Sequence, residues 1–352
     1  MKAAIVCWSR RIANHLTATT AQKLDAIGRL MSYVHGFLPQ VAVQRPGVVW
    51  HPNFQALVVL PEYFLTRPRP SLAHAKALDE ADKDAALATL LGWSQWCPEQ
   101  LVVPGTVAFR KSFDRPAGKQ RRADGTVKPA AGRSLKASVN LAGAPAIPPM
   151  MQSYPWVNSP PAVSPGTAQK QAQLAALDMM HSALGTPAYI YKNQAYVIQN
   201  GQVRYKYNKR RDFFETFGAP HEVHAPDVNA AATQHIHGIL FGFEICFDHN
   251  QGALAADVAY GNQLAGALLQ HGYAPAMPAA PDIHVLVSAS VGNAASPVRD
   301  GGLFVHASTD DTQTTVRRRR GGAMLPAEAN TLELIGDVQF LGDRLRVWLA
   351  DV

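Results

Sequence analysis

The chain has 352 residues, 47% of them hydrophobic, and 33 Lys and Arg against 26 Asp and Glu give it a formal net charge of +7. This apolar fraction excludes disorder along the whole chain, and the length allows either two domains or one large α/β unit. The three cysteines, Cys7, Cys97 and Cys246, lie far apart and form no C-x-x-C pair, which argues against a disulfide framework or a zinc ribbon. We therefore expect a reducing compartment, the cytoplasm.

The positive charge is concentrated in one segment. Between Arg110 and Lys136 there are nine Lys and Arg against Asp114 and Asp124, so the local excess of seven equals the net charge of the chain. A charge confined to one segment gives little support for a nucleic-acid partner. No segment approaches the roughly 20 uninterrupted apolar residues of a spanning helix, so no membrane partner is expected.

The N-terminal part alternates between strand and helix patterns. The short apolar run AAIV (3–6) predicts a first strand, because it is too brief for the core of a signal peptide. Apolar residues recur at three- and four-residue steps over 24–34, which predicts a helix, and helical composition returns over 71–96. ALVVL (56–60) predicts a strand buried on both faces, and LVVPGTVAF (101–109) predicts the next strand.

A segment of different composition follows. Residues 111–166 are rich in Pro, Gly, Ala, Ser and Arg without a sustained period, which predicts a loop, and 167–184 consist of helix-forming residues. Together they predict an insertion at about 111–185. The dipeptide Asn200-Gly201 between two β-rich runs then predicts a β-hairpin.

The C-terminal part returns to buried strand patterns. HIHGILFGFEIC (235–246) predicts a long strand that leads into a helix at 250–269, and IHVLVSAS (283–290) predicts another buried strand. Three further strand patterns follow: GLFVHAS, QTTVRRR and RLRVWLADV. Alternating strands and helices with one hairpin predict an α/β fold in which helices cover a mixed sheet.

Cys246 lies between the long strand and the following helix. At this position the helix N–H groups and the exposure of a loop lower a thiol pKa, which favours the nucleophilic thiolate. A buried apolar cysteine is the alternative that the position alone leaves open. The neighbouring His249 does not decide between them, since the members of papain-like Cys-His pairs lie far apart in sequence.

Two other ionisable groups follow predicted strands. Glu62 comes directly after ALVVL, at the carboxyl end of a strand, where open α/β sheets bind their ligands. A partly buried carboxyl group there can have a raised pKa and act as a base. The basic run after the hairpin contains Lys206, Lys209, Arg210 and Arg211, and spacing alone does not distinguish a catalytic lysine from a solvated surface.

Taken in order, the segments LPEYF, YNKRRDF and GFEICFD resemble the Glu-Lys-Cys triad of the nitrilase superfamily, the carbon-nitrogen hydrolases. By position, the resemblance implies that Glu62 is the general base, Lys209 the catalytic lysine and Cys246 the nucleophile. It also implies a four-layer α-β-β-α sandwich with mixed sheets. We expect one such domain over 1–352, interrupted by the insertion, without a cofactor or metal and assembled as a homo-oligomer.

The resemblance implies hydrolysis of a non-peptide carbon-nitrogen bond in a small amide, nitrile or carbamoyl compound, through a covalent acyl-enzyme. Lys209 and the backbone N–H of Phe247 are expected to stabilise the oxyanion. The spacing from Glu62 to Lys209 is longer than the family pattern, so Lys206 is an alternative lysine. Three further residues are assigned to the substrate pocket: Tyr63, Glu215 and His249.

Alternative functions rest on other residues. His221, His224, His235 and His237 form an HxxH and an HxH pattern that alternation on a strand can bring to one face, but their spacing matches no recognised metal site. The run RRRR at 317–320, with the basic insertion, allows a binding or assembly protein on a catalytically silent fold. An acyltransferase of the same superfamily is the third alternative.

Overall fold

A computed structural model describes residues 1–10, 17–68, 77–113, 188–210, 222–224, 232–270, 280–292, 296–324 and 332–352. Sixteen strands in two sheets and four helices lie within these ranges. The helices are α1 (Thr20–Gln44), α2 (Glu80–Trp96), α3 (Phe247–Asn250) and α4 (Ala253–Gln270).

The first sheet contains ten strands and is mixed. Its central strands β1, β2 and β4 are parallel, and β16 and β6 add to them in antiparallel orientation. Its strands are β1 (Lys2–Ser9), β2 (Ala56–Val59), β3 (Leu78–Asp79), β4 (Gln100–Val103), β5 (Thr106–Phe113), β6 (Ala188–Gln199), β7 (Gln202–Asn208), β8 (Glu222–His224), β15 (Glu333–Phe340) and β16 (Asp343–Asp351).

The second sheet contains six strands, in the order β14-β13-β12-β11-β10-β9. The strands β10, β11 and β12 at its centre are parallel, and every residue in them is buried. Its strands are β9 (Thr233–Ile236), β10 (Ile239–Ile245), β11 (Ile283–Ser288), β12 (Leu303–Ser308), β13 (Thr315–Arg320) and β14 (Ala323–Met324).

Successive side chains of a strand point to opposite faces of its sheet and therefore pack in different layers. In β1, Ile5 packs in the core between the sheets with Phe243 of β10, whereas Trp8 packs on the other side with Ile27 of α1. On the outer face of the second sheet, the side chain of Leu254 in α4 packs against Gly242, where a Cβ atom would come within 2.6 Å of it. The predicted four-layer α-β-β-α sandwich is therefore confirmed.

The predicted turns are partly confirmed. The hairpin between β6 and β7 turns at Asn200 and Gly201, whose φ values of 48° and 71° match a type I′ turn. The single strand predicted over 101–109 is wrong, because the chain divides it at Pro104-Gly105 into β4 and β5. The strand predicted over 235–246 is also wrong: it is a hairpin of β9 and β10 that turns at His237-Gly238.

Other boundaries differ less. The helix predicted from 71 begins at Glu80 within the described residues, and the helix predicted over 250–269 is α4, preceded by the single turn α3. The predicted insertion begins within β5, and 114–187 lie outside the described residues. Among the helices of the described ranges, none has the length and apolar character needed to cross a bilayer.

The run of four arginines belongs to β13 and is not a solvated loop. Arg318 donates from Nη1 to the carbonyl oxygen of Gly301 at 2.6 Å, and Arg319 donates from Nη1 to that of Val298 at 2.8 Å. Charge-assisted hydrogen bonds of this kind attach a strand to the neighbouring loop. At least these two arginines therefore have a structural role.

Gly105 lets two turns approach each other closely. Its φ is +73°, and a Cβ atom at this position would lie 2.1 Å from the carbonyl oxygen of Pro61 and 2.8 Å from Cβ of Phe64. Only glycine adopts this conformation without strain while leaving that space open. The turn between β4 and β5 thus supports the segment Pro61–Phe64, which follows β2.

We expect Gly105→Ala to lower the free energy of unfolding by at least about 2 kcal/mol, because it combines a positive φ with a backbone clash. Urea denaturation measures this change. Gly36→Ala is the control, since Gly36 is exposed in α1 with nothing near its Cβ position, and it should raise the free energy of unfolding by about 0.5–1 kcal/mol. Equal stability of the two variants would contradict the role of Gly105.

Candidate active site

The site forms where the carboxyl ends of strands from both sheets meet. Glu62 lies shortly after β2, and its backbone N–H donates to the carbonyl oxygen of Ser288 at the end of β11, at 3.3 Å. Cys246 follows β10 directly, and its N–H donates to the carbonyl oxygen of Val287 at 2.9 Å. Because β10 and β11 are parallel, the two bonds bring Glu62 and Cys246 to the same edge.

Glu62 and Lys209 form a buried ion pair. The Nζ atom of Lys209 is 2.8 Å from Oε1 of Glu62, and the two side chains are 1% and 0% exposed. Asn193 of β6 donates from Nδ2 to the same oxygen at 2.9 Å and accepts the backbone N–H of Lys209 through its carbonyl oxygen at 2.9 Å. Lys206 is exposed on β7, so Lys209 is the lysine that reaches Glu62.

The backbone at Cys246 has an uncommon conformation. Its φ is 47° and its ψ is −108°, a region that non-glycine residues rarely adopt. Tyr63, next to Glu62, also has a positive φ of 56°, and its N–H donates to Oγ1 of Thr106 at 2.8 Å. Such strain costs about 1–3 kcal/mol per residue and is concentrated at functional sites.

The Cys246 thiol is protonated at rest. Burial raises its pKa well above the ordinary value, and the negative charge of Glu62 raises it further, while Lys209 and the backbone N–H of Ala289 lower it. The prediction of a lowered thiol pKa is therefore wrong, because the thiol is buried beside the carboxylate of Glu62. A thiol of this kind needs a base before it can attack.

The other predicted pocket residues have different positions. The ring of Tyr63 lies 5.5 Å from Nζ of Lys209, which places it beside the ion pair. Phe247 follows Cys246 directly and begins α3, so its N–H belongs to the first turn of that helix. Glu215 lies outside the described residues.

His249 contacts the outer side of the second sheet. Its Nδ1 atom is 2.6 Å from Oε2 of Glu244, its ring is 1% exposed, and it stacks on Phe304. Along β10 and β12, Glu244 and Phe304 alternate with the residues that face the first sheet. The ring of His249, which contacts both, therefore lies away from the core between the sheets. These contacts give no support to the substrate-binding role predicted for His249.

The four histidines considered for a metal site have separate environments. His237 contacts Oε1 of Gln199 through Nε2 at 2.6 Å, and His235 is exposed on β9. His221 lies outside the described residues, and His224 is in β8. The structure therefore adds no support for a site formed by these four histidines.

Asp248, to which the sequence patterns assigned no role, connects two segments of the site. Its carboxylate accepts the hydroxyl of Tyr207 at 2.9 Å and the backbone N–H of Arg210 at 3.0 Å and 3.1 Å. It therefore connects the segment that carries Lys209 to the segment that carries Cys246. An aspartate two residues after the nucleophile, within GFEICFD, was the available signal. Asn193 had no comparable signal in a single sequence.

Comparisons with protein-family models and with curated proteins found no match. Among solved structures, the chain is similar to a nitrilase-superfamily amidase from Nesterenkonia AN1, at 11% identity and a TM-score of 0.43, with 100% of this chain and 90% of that chain covered. It is also similar to a glutamine-dependent NAD+ synthetase from Acinetobacter baumannii, at 11% identity and a TM-score of 0.42. The chain spans 46% of that synthetase. At these values, the assignment of the site rests on its own geometry.

We expect Glu62→Gln to shift the alkylation of Cys246 by iodoacetamide to lower pH. The substitution removes the negative charge that raises the thiol pKa and leaves the positive charge of Lys209 in place. Alkylation rates across pH, followed by peptide mass spectrometry, measure the shift. Cys97, whose pKa burial and Glu99 raise to about 11, is the internal control and should be unaffected. An alkylation midpoint at the same pH as in the wild type, or at a higher pH, would contradict the electrostatic coupling between Glu62 and the thiol.

We expect Asp248→Asn to lower the free energy of unfolding by about 1–3 kcal/mol, because an amide cannot accept all the hydrogen bonds that the carboxylate accepts. It should also change the alkylation rate of Cys246, since the segment that carries Lys209 loses its attachment. Urea denaturation and peptide mass spectrometry measure the two effects.

Asp257→Asn is the matched control for this substitution. Asp257 binds the guanidinium of Arg210 at 2.8 Å through each oxygen, so the variant disturbs the same arginine without touching the nucleophile segment. An identical effect on Cys246 alkylation in both variants would contradict the connecting role of Asp248.

Proposed function

We propose that this chain hydrolyses a non-peptide carbon-nitrogen bond, in a small amide, as a member of the carbon-nitrogen hydrolases of the nitrilase superfamily. The observation that carries the proposal is the buried Glu62–Lys209 ion pair beside the strained Cys246. A buried pair of this kind costs desolvation energy, and it is weak support for stability alone. Its position beside a protonated thiol favours a catalytic role.

Glu62 acts first as a general base. It accepts the proton of the Cys246 thiol as Sγ attacks the carbonyl carbon of the amide, which forms a tetrahedral oxyanion. The carbon-nitrogen bond then breaks, and Glu62 returns the proton to the departing ammonia or amine. In the second half, Glu62 takes a proton from water, which attacks the acyl-thioester, and the acid and the thiol are released.

Lys209 supplies positive charge. Its ammonium group is fixed by Glu62 on one side and lies over the ring of Tyr63. A preorganised cation that faces the developing oxyanion stabilises the transition state without reorganisation, and the N–H of Phe247 is the second proposed donor. Loss of one such donor costs roughly 10²–10³ in rate.

The exclusion of water favours a small substrate group at the nucleophile. Glu62 and Lys209 are at most 1% exposed and Cys246 is 7% exposed, so little of the thiol is accessible to a reacting carbonyl. A low effective dielectric there strengthens each charge interaction. Simple amides are therefore the first substrates to test, followed by nitriles and carbamoyl compounds.

The experiment is mass spectrometry of the intact protein with a panel of short aliphatic and aromatic amides, nitriles and N-carbamoyl compounds. We expect turnover of at least one amide, a covalent adduct at Cys246, and loss of both in Cys246→Ala. Cys97→Ala is the matched control, because Cys97 is also buried but lies after α2, away from Glu62. Turnover that survives Cys246→Ala, or a folded protein with no adduct across the panel, would overturn the proposal.

A further inference from the structure

A second group of ionisable side chains lies behind the nucleophile, on the outer face of the second sheet. Glu244 comes from β10, His249 from α3 and His284 from β11, and each side chain is at most 1% exposed. The proposed hydrolysis uses none of the three. Charged and polar groups this deeply buried need partners or a ligand, since their desolvation is costly.

The three residues converge on one point. Oε2 of Glu244 lies 2.6 Å from Nδ1 of His249 and 3.1 Å from Nε2 of His284, and one donor atom from each residue falls within 4.8 Å of the others. Tetrahedral zinc ligands at about 2.0–2.1 Å from the metal stand roughly 3.3 Å apart. The histidine-carboxylate contacts therefore need to widen by less than about 1 Å to hold such an ion.

The ring of His284 is directed at the carboxylate. Nε2 of the fully buried His284 lies 3.1 Å from Oε2 of Glu244, its charge partner, and makes no other hydrogen bond among the described residues. The other nitrogen, Nδ1, contacts Oγ of Ser296 at 2.7 Å. An imidazole whose far nitrogen is held by a hydroxyl presents its near nitrogen to a metal, which is the usual arrangement around metal-binding histidines.

The carboxylate is fixed in the same manner. Oε1 of Glu244 accepts the backbone N–H of Leu254 at the start of α4, at 2.7 Å, which leaves Oε2 directed at the two histidines. Outer hydrogen bonds of this type orient the ligands of metal sites. Each of the three proposed ligands therefore comes from a separate element, and two of them are held by a bond outside the cluster.

We propose that Glu244, His249 and His284 bind a divalent transition metal, with Zn²⁺ as the best match to a set of two imidazoles and one carboxylate. The ion joins β10, β11 and α3 directly behind Cys246, which lies between Glu244 and His249 in sequence. Its role is structural, because the cluster is on the face opposite the core between the sheets. The proposal is independent of the proposed hydrolysis.

The first experiment measures metal content and binding in the full-length protein. Protein purified without a metal-affinity step is stripped with a chelator, refolded with or without Zn²⁺ because the site is buried, and its zinc is measured by mass spectrometry. We expect about one equivalent of zinc. Cobalt substitution should give the visible absorption of a tetrahedral Co²⁺ site.

Variants locate the ion. His284→Gln and Glu244→Gln should each lower zinc affinity by at least 100-fold, as loss of a direct ligand exceeds the 10–100-fold effect of outer-shell partners. His306→Gln is the matched control, since His306 is equally buried nearby but contacts Oγ of Ser288 at 2.7 Å. His35→Ala controls for the group of His35, Cys97 and Glu99, in which His35 is exposed and Cys97 is buried. Both controls should retain zinc.

Two results would overturn the proposal. One is a folded wild-type protein that takes up no zinc after refolding with Zn²⁺, which would identify the cluster as hydrogen-bonded only. The other is zinc binding that is lost in His35→Ala and kept in Glu244→Gln. The wild-type measurement decides the question even if His284→Gln does not fold.

Discussion

The buried ion pair between Lys209 and Glu62 is the interaction on which the rest of the site depends. The two charges stabilise each other, because removing one partner of a buried pair typically costs about 3–5 kcal/mol. Each of the two charged groups therefore needs further hydrogen bonds from the strands and turns around it. Asn193 meets this need for both residues, since its side chain binds the carboxylate and its carbonyl oxygen binds the backbone of the lysine.

The two sheets contribute different parts of the site. The first sheet supplies the base and the lysine from β2 and β7, and the second supplies the cysteine from β10. Two connections fix their relative position: the N–H of Glu62 bound to Ser288, and the carboxylate of Asp248 bound to the backbone at Arg210. Backbone hydrogen bonds, in addition to the packing of the apolar core, therefore keep the charged side chains and the strained backbone of the site in position.

The central strands could be predicted from local patterns, since buried runs such as ALVVL identify them. The four layers and the meeting of three ionisable residues were implied by the resemblance of the three motifs, taken in order, to a known family. The turns at Gly105 and His237 were missed, since two short strands and one long strand share the same apolar composition. The thiol pKa was predicted in the wrong direction because a single sequence does not give the degree of burial.

Side-chain partners of the site were predictable only where a motif contained them. Asp248 lies within GFEICFD, yet its contacts with Tyr207 and Arg210 come from a strand about 40 residues earlier. Asn193 and the histidines around Glu244 depend on strand register, which a single sequence does not specify. His249 shows the limit most clearly: its sequence position beside the cysteine suggested the pocket, while its ring contacts the opposite face of the sheet.

The β6–β7 hairpin has a consequence for how the chain tolerates length changes. Its two-residue turn at Asn200-Gly201 and the register shift between Val197 and Ile198 together set the pairing of Asn193 with Lys209, since a slip of one position would reverse the faces of one strand relative to the other. Insertions or deletions of one residue in this turn are therefore incompatible with the ion pair. We therefore expect variation in length elsewhere in the chain, for example in the long segment that separates β5 from β6.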